Sequence, residues 1–478
     1  MCVDLRDEVL GADFGDERLD RRLVMIVEEL GAQPSRSIPA ATDGRAEMEA
    51  AYRFFNNDKV SPEKILAPHG AATIERIRQC PIVLLVQDTT ELDLTRPSRQ
   101  VQGAGPIDSE ARRGALHHPL MAFTIEGVPL GMVWQKTWTR EKIQTSLTKS
   151  EKAMKRQATP IEQKESIRWI EGQRVARDIA ATCPNTQCIC VSDSESDIYE
   201  LFTEPRVAEH TGDLDQSPGV LELVIRAGQD RCTTTSDWLS DARRTEELFS
   251  DSVKVSARVA RVAVSQSVRT ASRESRTASV AVRATTVTLQ PPHRPDRKLP
   301  PVTVNLVLVE ETDAPQGCEP IRWLLVTTLP ITTIAEVQHV VTVYCLRWQI
   351  EIYFRTLKSG CRVEERQFEA IHRVENSLAV YSIIAWRVMY LCYLGRECPD
   401  LSCEVVFTPS EWKSICHIHS GGQVPPQAPS LNEMIRLIAS FGGYVIRPKT
   451  HPGTQTLWLG LHQLHCFALS WDAFGPGS

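Results

Sequence analysis

With 478 residues, 42% of them hydrophobic and 24% charged, the chain has room for two or three globular domains. That composition excludes a disordered or collagen-like polypeptide. The net charge of −6 excludes a uniformly basic nucleic-acid binder, so any such role has to rest on a local concentration of cations.

The opening stretch MCVDLRDEVL places acids where a secretory signal has a basic start and an apolar run, so a cytoplasmic location is expected. Residues 1–70 read as compact and helical. Asp16 to Leu30 shows helical apolar periodicity, Glu47 to Phe55 forms a second such run, and Ser61-Pro62-Glu63 opens a third. Arg18, Arg21 and Arg22 cluster on the first run, with Arg36, Arg45 and Arg53 following. Such a basic helical unit suits DNA, and a solvated surface accounts for the charges equally well.

From Pro81 the pattern changes. Ile82 to Val86 (IVLLV) ends in Gln87-Asp88, as in a buried strand that delivers an aspartate at its tip. Leu116 to Ile125 and Leu130 to Trp138 flank a Glu126-Gly127 turn as a hairpin. Glu162 to Ala181 reads as a helix, and Cys188 to Val191 as a second buried strand ending in Ser192-Asp193. Asp197 to Phe202 starts a helix, and Leu221 to Ile225 makes a further strand. That order is the one expected of a ribonuclease-H-like α/β unit.

Residues 228 to 330 turn to β, with Val and Ala alternating with Arg, Ser and Thr. Strands Val302 to Val309 and Trp323 to Thr328 follow proline-rich turns, and the whole reads as an insertion inside the α/β unit. Between Ser252 and Lys298 ten Lys and Arg residues face only Glu274 and Asp296, a strongly positive segment.

Val343 to Arg366 reads as one helix. On it Tyr344, Arg347, Glu351, Arg355 and Lys358 recur at spacings of three or four and share a stripe. A carboxylate set between cations and a phenol suits a helix laid along phosphates with a metal beside it. A solvated face with pairs such as Glu351 and Arg355 fits the same spacing. Leu378 to Leu394, with Arg387 near its middle, reads as a buried core helix rather than a membrane span. Beyond Gly395 the chain loosens, Gly421 to Pro429 is linker-like, and Leu431 to Phe441 is the last helical piece before Gly442-Gly443. The fourteen cysteines are scattered without paired CxxC spacing, so free thiols and no structural zinc are expected, even near Cys416-His417.

Asp88 and Asp193 each stand just past a short apolar strand. Such tips converge at one edge of an open α/β sheet, where ligands bind, and Glu351 can supply a third acid. Three carboxylates without His or Cys favour Mg²⁺ or Mn²⁺ over zinc. Two such ions about 3.5–4 Å apart clamp an in-line phosphoryl displacement. Taken singly, Asp88 before Thr89-Thr90 also suits a turn, and Asp193 suits the acid-favouring start of a helix.

Asp88-Thr89-Thr90, Ser192-Asp193 followed by Ser194 to Tyr199, and Tyr344-x2-Arg347-x3-Glu351-x6-Lys358 resemble the motifs of bacterial DDE cut-and-paste transposases. The similar group is the insertion-sequence-four family, to which the transposon-five transposase belongs. Gly15-Asp16-x-Arg18, Ala51 to Phe54, Lys164-Glu165-Ser166 with Trp169, Arg322 to Leu325, Gly442-Gly443 and Leu457-Trp458 carry the resemblance over nearly the whole length.

The resemblance implies an α/β (α+β) fold. A ribonuclease-H-like catalytic domain over 71–395 would be interrupted by a β-rich insertion at about 228–330. A helical DNA-binding domain over 1–70 and a helical dimerisation region over 396–478 would flank it. It further implies Mg²⁺-dependent transposition at one site, with two Mg²⁺ ions, or Mn²⁺ in their place, held by Asp88, Asp193 and Glu351. That site would nick the element's end, form and reopen a hairpin, and join the end to target DNA. Tyr344 and Arg347 are then expected at a phosphate beside the cut, and Lys358 at another. Trp323 is expected under an extruded base, a core aromatic being the plain alternative. Arg226, Arg355, Arg18, Arg22 and Arg53 are expected along the DNA. The implied partners are double-stranded DNA (inverted-repeat ends and target) and a second copy in the synaptic complex, with no membrane. The implied place is the bacterial cytoplasm, at the nucleoid when DNA is bound. Two other functions fit parts of the pattern. One is a catalytically silent DNA-binding repressor derived from such an enzyme. The other is a metal-dependent phosphatase, which leaves the Tyr344 to Lys358 stripe without a role.

Overall fold

Eleven strands among the described residues form one mixed sheet in the computed structural model, which describes residues 4–141, 148–208, 219–255, 261–262, 269–270 and 274–475. In chain order they are β1 (Ile82–Gln87), β2 (Thr90–Asp93), β3 (Gly105–Pro106), β4 (Arg113–Thr124), β5 (Pro129–Trp138) and β6 (Gln187–Ser192). β7 (Glu222–Arg226), β8 (Phe249–Val255), β9 (Arg276–Leu289), β10 (Val302–Glu311) and β11 (Arg322–Thr327) complete them. β4 pairs antiparallel with β5 and β1, whereas β1, β6 and β7 run parallel. This is the ribonuclease-H-like core expected from the order of elements. β1 and β6 are buried on both faces, which is why they read as unbroken apolar runs.

The insertion is not a separate layer. β11 pairs antiparallel with β7, Leu325 opposite Arg226, and β10, β9 and β8 continue the same sheet outward. β7 would otherwise leave an unpaired edge beside the core, and the insertion covers it. The positive segment is also partly neutralised. Arg276 pairs with Glu311, Arg294 with Glu200 and Arg297 with Glu162, all acids from outside the segment. Arg258 and Arg273 lie outside the described residues.

Helices cover both faces. The three long N-terminal ones are α1 (Glu17–Ala32), capped by Asp16, α2 (Arg45–Phe55), and α3 (Pro62–Arg78), capped by Ser61 with Pro62 in its first turn. α3 runs through residue 70 without a break. α4 (Ile167–Thr182) packs Trp169, Ile170 and Ala176 against Val83, Leu85, Cys188 and Cys190 on one face of the sheet. On the other face Leu84, Val86, Ile189 and Val191 share a single core with Leu23, Phe54 and Phe55 from the N-terminal helices. The same core takes in Ile384, Trp386, Ile435 and Leu457 from the C-terminal helices. Asn376 donates to the carbonyls of Phe55 and Val60, tying the N-terminal segment down.

The expected single helix from Val343 to Arg366 is four pieces. α5 (Ile334–Leu346) starts earlier, at a Thr333/Glu336 capping box. The amides of Arg347 and Trp348 then bond three residues back, to Tyr344 and Cys345, and this tightened turn separates α5 from α6 (Gln349–Arg355). Residues Thr356–Gly360 widen into a π turn closed by the Cys361 amide on the Thr356 carbonyl, and Val363–Glu365 is a short 3-10 turn. α7 (Ile371–Glu397) is long and apolar enough to cross a membrane, but its side chains are buried in the protein, as expected of a core helix. The stretch expected to be loose contains α8 (Pro409–His419), whose Thr408/Glu411 capping box and Pro409 are a legible helix start. α9 (Leu431–Phe441) is not the last helix, because α10 (Thr454–Phe474) follows it.

Candidate active site

The sheet brings two acids to one edge by register alone. Val86 of β1 lies opposite Val191 of β6, so two residues further on Asp88 and Asp193 leave neighbouring strands at the same level. Parallel neighbours are about 4.8 Å apart. The turn between α5 and α6 then presents Arg347 to that edge, and Glu351, in the first turn of α6, adds its charge at Asp88. Asp88 is buried; its Oδ1 accepts from the Thr89 amide at 2.7 Å, and its Oδ2 from Arg347 Nη1 at 2.7 Å. Burial and the charge of Asp193 push the Asp88 carboxyl up to about 7, and Glu351 pushes the same way. Arg347 only partly offsets them. Asp88 therefore feels the charge of both other acids.

The residues fit a hard divalent cation. They supply oxygen donors only, and Asp88 sits in an excess of negative charge that Arg347 alone does not relieve. As they stand, no three His, Cys, Asp or Glu side chains among the described residues converge tightly enough to ring one ion. Arg347 occupies one of the two Asp88 oxygens, Oδ2. Asp193 accepts from the Glu195 amide at 2.9 Å through Oδ1, so the capping reading of this residue holds for one of its two oxygens.

The stripe is less uniform than its spacing suggests. Tyr344 is buried, its ring edge-on to half-buried Trp323 at 5.5 Å and 5.9 Å from the Arg347 guanidinium. Burial raises the Tyr344 phenol, and the charges of Arg347 and Arg226 oppose that rise, which places Arg226 at the same spot. Lys358 is engaged: Nζ lies 3.2 Å from Glu364 Oε1 and 3.5 Å from the Thr90 hydroxyl. Arg355 is exposed, away from the buried Tyr344 on the same stripe. At the N-terminal helices Arg18, Arg22 and Arg53 line one cavity of about 410 Å³ with Asn57, and Arg18 is held by Asp16.

Sequence reading missed three contributors. Glu364 holds Lys358 and also accepts from the Asp93 amide at 2.8 Å. Arg168 and His118 are buried behind the acids. Arg168 stands beside Trp169 in a motif already singled out, yet nothing in its spacing says that it points inward.

Residues 143–386 match the family model described as transposase DDE domain. Residues 4–60 match the one described as transposase DNA-binding, and residues 383–471 the one described as transposase Tn5 dimerisation domain. A cryo-EM structure described as a piggyBac transposase synaptic complex with hairpin DNA aligns over 100% of this chain and 79% of that chain. It does so at 10% identity with a TM-score of 0.35, too slight a likeness to carry any argument about this chain.

Proposed function

Because this chain belongs to the transposase DDE family, and so is a metal-dependent DNA strand-cleaving and strand-transferring enzyme, we propose that Asp88, Asp193 and Glu351 are its catalytic acids. We propose equally that they hold two Mg²⁺ ions, with Mn²⁺ able to substitute. The observation that carries this reading is the parallel register that aligns Asp88 with Asp193, together with the charge that Glu351 adds on Asp88. Bound there, the ions would activate the attacking hydroxyl and stabilise the departing oxygen of an in-line displacement.

The remaining residues bind and orient DNA. Arg347, already turned toward the acids, supplies forked donors for a phosphate beside the cut. Tyr344 buttresses it from below, a packing role that its burial favours over direct phosphate contact. Trp323, half-buried against Tyr344, offers a face on which an extruded base of a hairpin can stack. Lys358 and Arg355 reach phosphates further along, and Arg226 approaches from the end of β7.

Residues 1–70, with the Arg18, Arg22 and Arg53 cavity, read the inverted-repeat ends of the element. Residues 396–478 pair two copies in the synaptic complex, and the sheet domain of 71–395, including the insertion, carries the chemistry. The substrates are the element's two ends and a target duplex, processed by nicking, hairpin formation and resolution, and strand transfer.

The test is incubation of the purified protein with a duplex carrying the inverted repeats that flank its coding region, with Mg²⁺. Nicked and hairpin products that vanish in Glu351→Gln, while DNA binding persists, support the assignment. Binding without nicking in the wild-type protein points instead to a silent repressor, and joint loss of binding and cleavage in Glu351→Gln makes that residue structural.

A further inference from the structure

β1 and β6 each stop one residue before the acid they deliver, so neither Asp88 nor Asp193 is fixed by the ladder of the sheet. One buried side chain spans the two tips. Arg168, in the first turn of α4, has a side chain only 9% exposed. Its Nε donates to the Thr89 hydroxyl at 2.9 Å and its Nη2 to Glu195 Oε2 at 2.8 Å. Its Nη1 donates to the Glu165 carbonyl at 2.9 Å. The guanidinium lies between the rings of Trp138 and Trp169, 5.1 and 5.3 Å from their centres.

Both ends of this span reach the acids through one backbone amide. The Thr89 amide donates to Asp88 Oδ1, and the Glu195 amide donates to Asp193 Oδ1. The Thr89 hydroxyl, having accepted from Arg168, has its proton free for His118 Nδ1 at 2.8 Å. His118 Nε2 then donates to Gln87 Oε1 at 3.1 Å, and Gln87 Nε2 donates to the Trp169 carbonyl. Donors and acceptors alternate along the whole chain of contacts, which returns to α4 beside Arg168. Arg168, His118 and Gln87 are buried and Thr89 half-buried, each of them paired, which makes that side of the network rigid, whereas the Glu195 carboxylate at the other end is 62% exposed.

We propose that Arg168 is a positioning residue of the active site: by tying Thr89 to Glu195 it fixes the spacing and orientation of Asp88 and Asp193, and thereby sets the affinity of the site for a divalent cation. The proposal rests on those two aspartates being the metal-holding acids. Three in-plane donors aimed at three separate acceptors are a geometry that guanidinium offers and an ammonium does not. Removing groups that orient metal ligands from behind typically costs 10–100-fold in affinity.

The experiment compares full-length wild type, R168K, T89V and the double variant. It reads Mn²⁺ binding by titration calorimetry, thermal melting, and the Mg²⁺ concentration giving half-maximal cleavage of the end-bearing duplex. R168K and T89V are each expected to weaken Mn²⁺ binding about tenfold or more. The Mg²⁺ requirement should rise in parallel. The double variant should be no weaker than R168K alone, because both changes break the same link. Unchanged Mn²⁺ affinity in either folded variant, or losses that simply sum in the double variant, overturns the proposal. Should R168K fail to fold, T89V decides by itself. A D88N control separates the two levels. Mn²⁺ bound as tightly by D88N as by wild type overturns the assignment of the acids, whereas binding that D88N abolishes and T89V ignores overturns only the positioning role.

Discussion

Arg347 donates from Nη1 to Asp88 Oδ2 at 2.7 Å, and each of the two side chains is only 11% exposed. An arginine expected at a DNA phosphate thus rests on an acid expected at a metal. The pair is a local charge balance at the proposed site.

That balance makes a pH prediction. Burial, Asp193 and Glu351 raise the Asp88 carboxyl to about 7, and Arg347 is the opposing charge. Arg347→Met should raise it further, moving the rising limb of the cleavage pH profile to higher pH by about one unit or more. For metal-free wild-type protein the sign follows from a folded value above the unfolded one. Stability from this group is present below the ordinary carboxylate range and is lost as pH rises through about 7. Added Mg²⁺ should therefore raise the melting temperature more at pH 8 than at pH 6, as differential scanning fluorimetry would record.

Glu364 restrains Lys358. Glu364→Gln keeps an acceptor for the Asp93 amide but removes the ion pair. Lys358 should then be free for phosphate, steepening the salt dependence of DNA binding by about one charge, with Lys358→Met acting in the opposite direction. Fluorescence anisotropy over a salt series reads both slopes; equal slopes in all three proteins would place Lys358 off the DNA.

Glu8 anchors the N-terminal segment in the core. Its carboxylate meets His69 Nδ1 at 2.5 Å and Arg76 at 2.7 and 3.1 Å, while His69 Nε2 accepts from the Met132 amide. Burial acts to raise the carboxyl, and the hydrogen bonds from His69 and Arg76, with the charge of Arg76, outweigh it, holding it at about 2. Glu8→Ala leaves Arg76 buried without its partner and should cost about 3–5 kcal/mol. The wild-type contribution is present above the ordinary carboxylate range and is lost as pH falls towards 2. Urea melts of wild type and variant at pH 7 and pH 3 test this, and the gap between them should narrow at the lower pH.

Glu375 behaves oppositely. Burial, and then the charge of Glu63, raise it to about 7. Glu375→Gln should raise the melting temperature at pH 8 and leave it nearly unchanged at pH 4.5, where the native carboxyl is already neutral. A variant that melts lower at both values would give Glu375 a hydrogen-bonding role instead.

Much of the core was legible because it is written locally. IVLLV before Gln87-Asp88 and CICV before Ser192-Asp193 are apolar runs that only a doubly covered strand needs, and each carries its acid at the tip. Ser61-Pro62 and Asp16 announce helix starts through caps that act within three residues. The same signal at Thr408-Pro409-x-Glu411 was obscured by the surrounding loop-like composition, and α10 by the apparent stop at Gly442-Gly443. The helix of the stripe was misjudged because spacing assumes constant pitch. The tightened turn at Arg347-Trp348 and the π turn at 356–360 change the pitch twice, and the first of them lies between buried Tyr344 and exposed Arg355.

By itself, then, the amino-acid order determined the core strands and most of the helices, and which acids and cations stand at their ends, because turn chemistry and apolar periodicity act over a few residues. Only the tertiary structure decided that the insertion continues the main sheet, that Arg347 rests on Asp88, that Glu364 holds Lys358, and that Arg168 turns inward to join two strand tips. Most of those outcomes depend on distant partners: Thr89 and Arg168 are 79 residues apart and Asp88 and Arg347 are 259, although Lys358 and Glu364 are near neighbours in the chain. Whether a charged side chain ends in water or in a buried bond is set by what packs over it, and no local pattern carries that information.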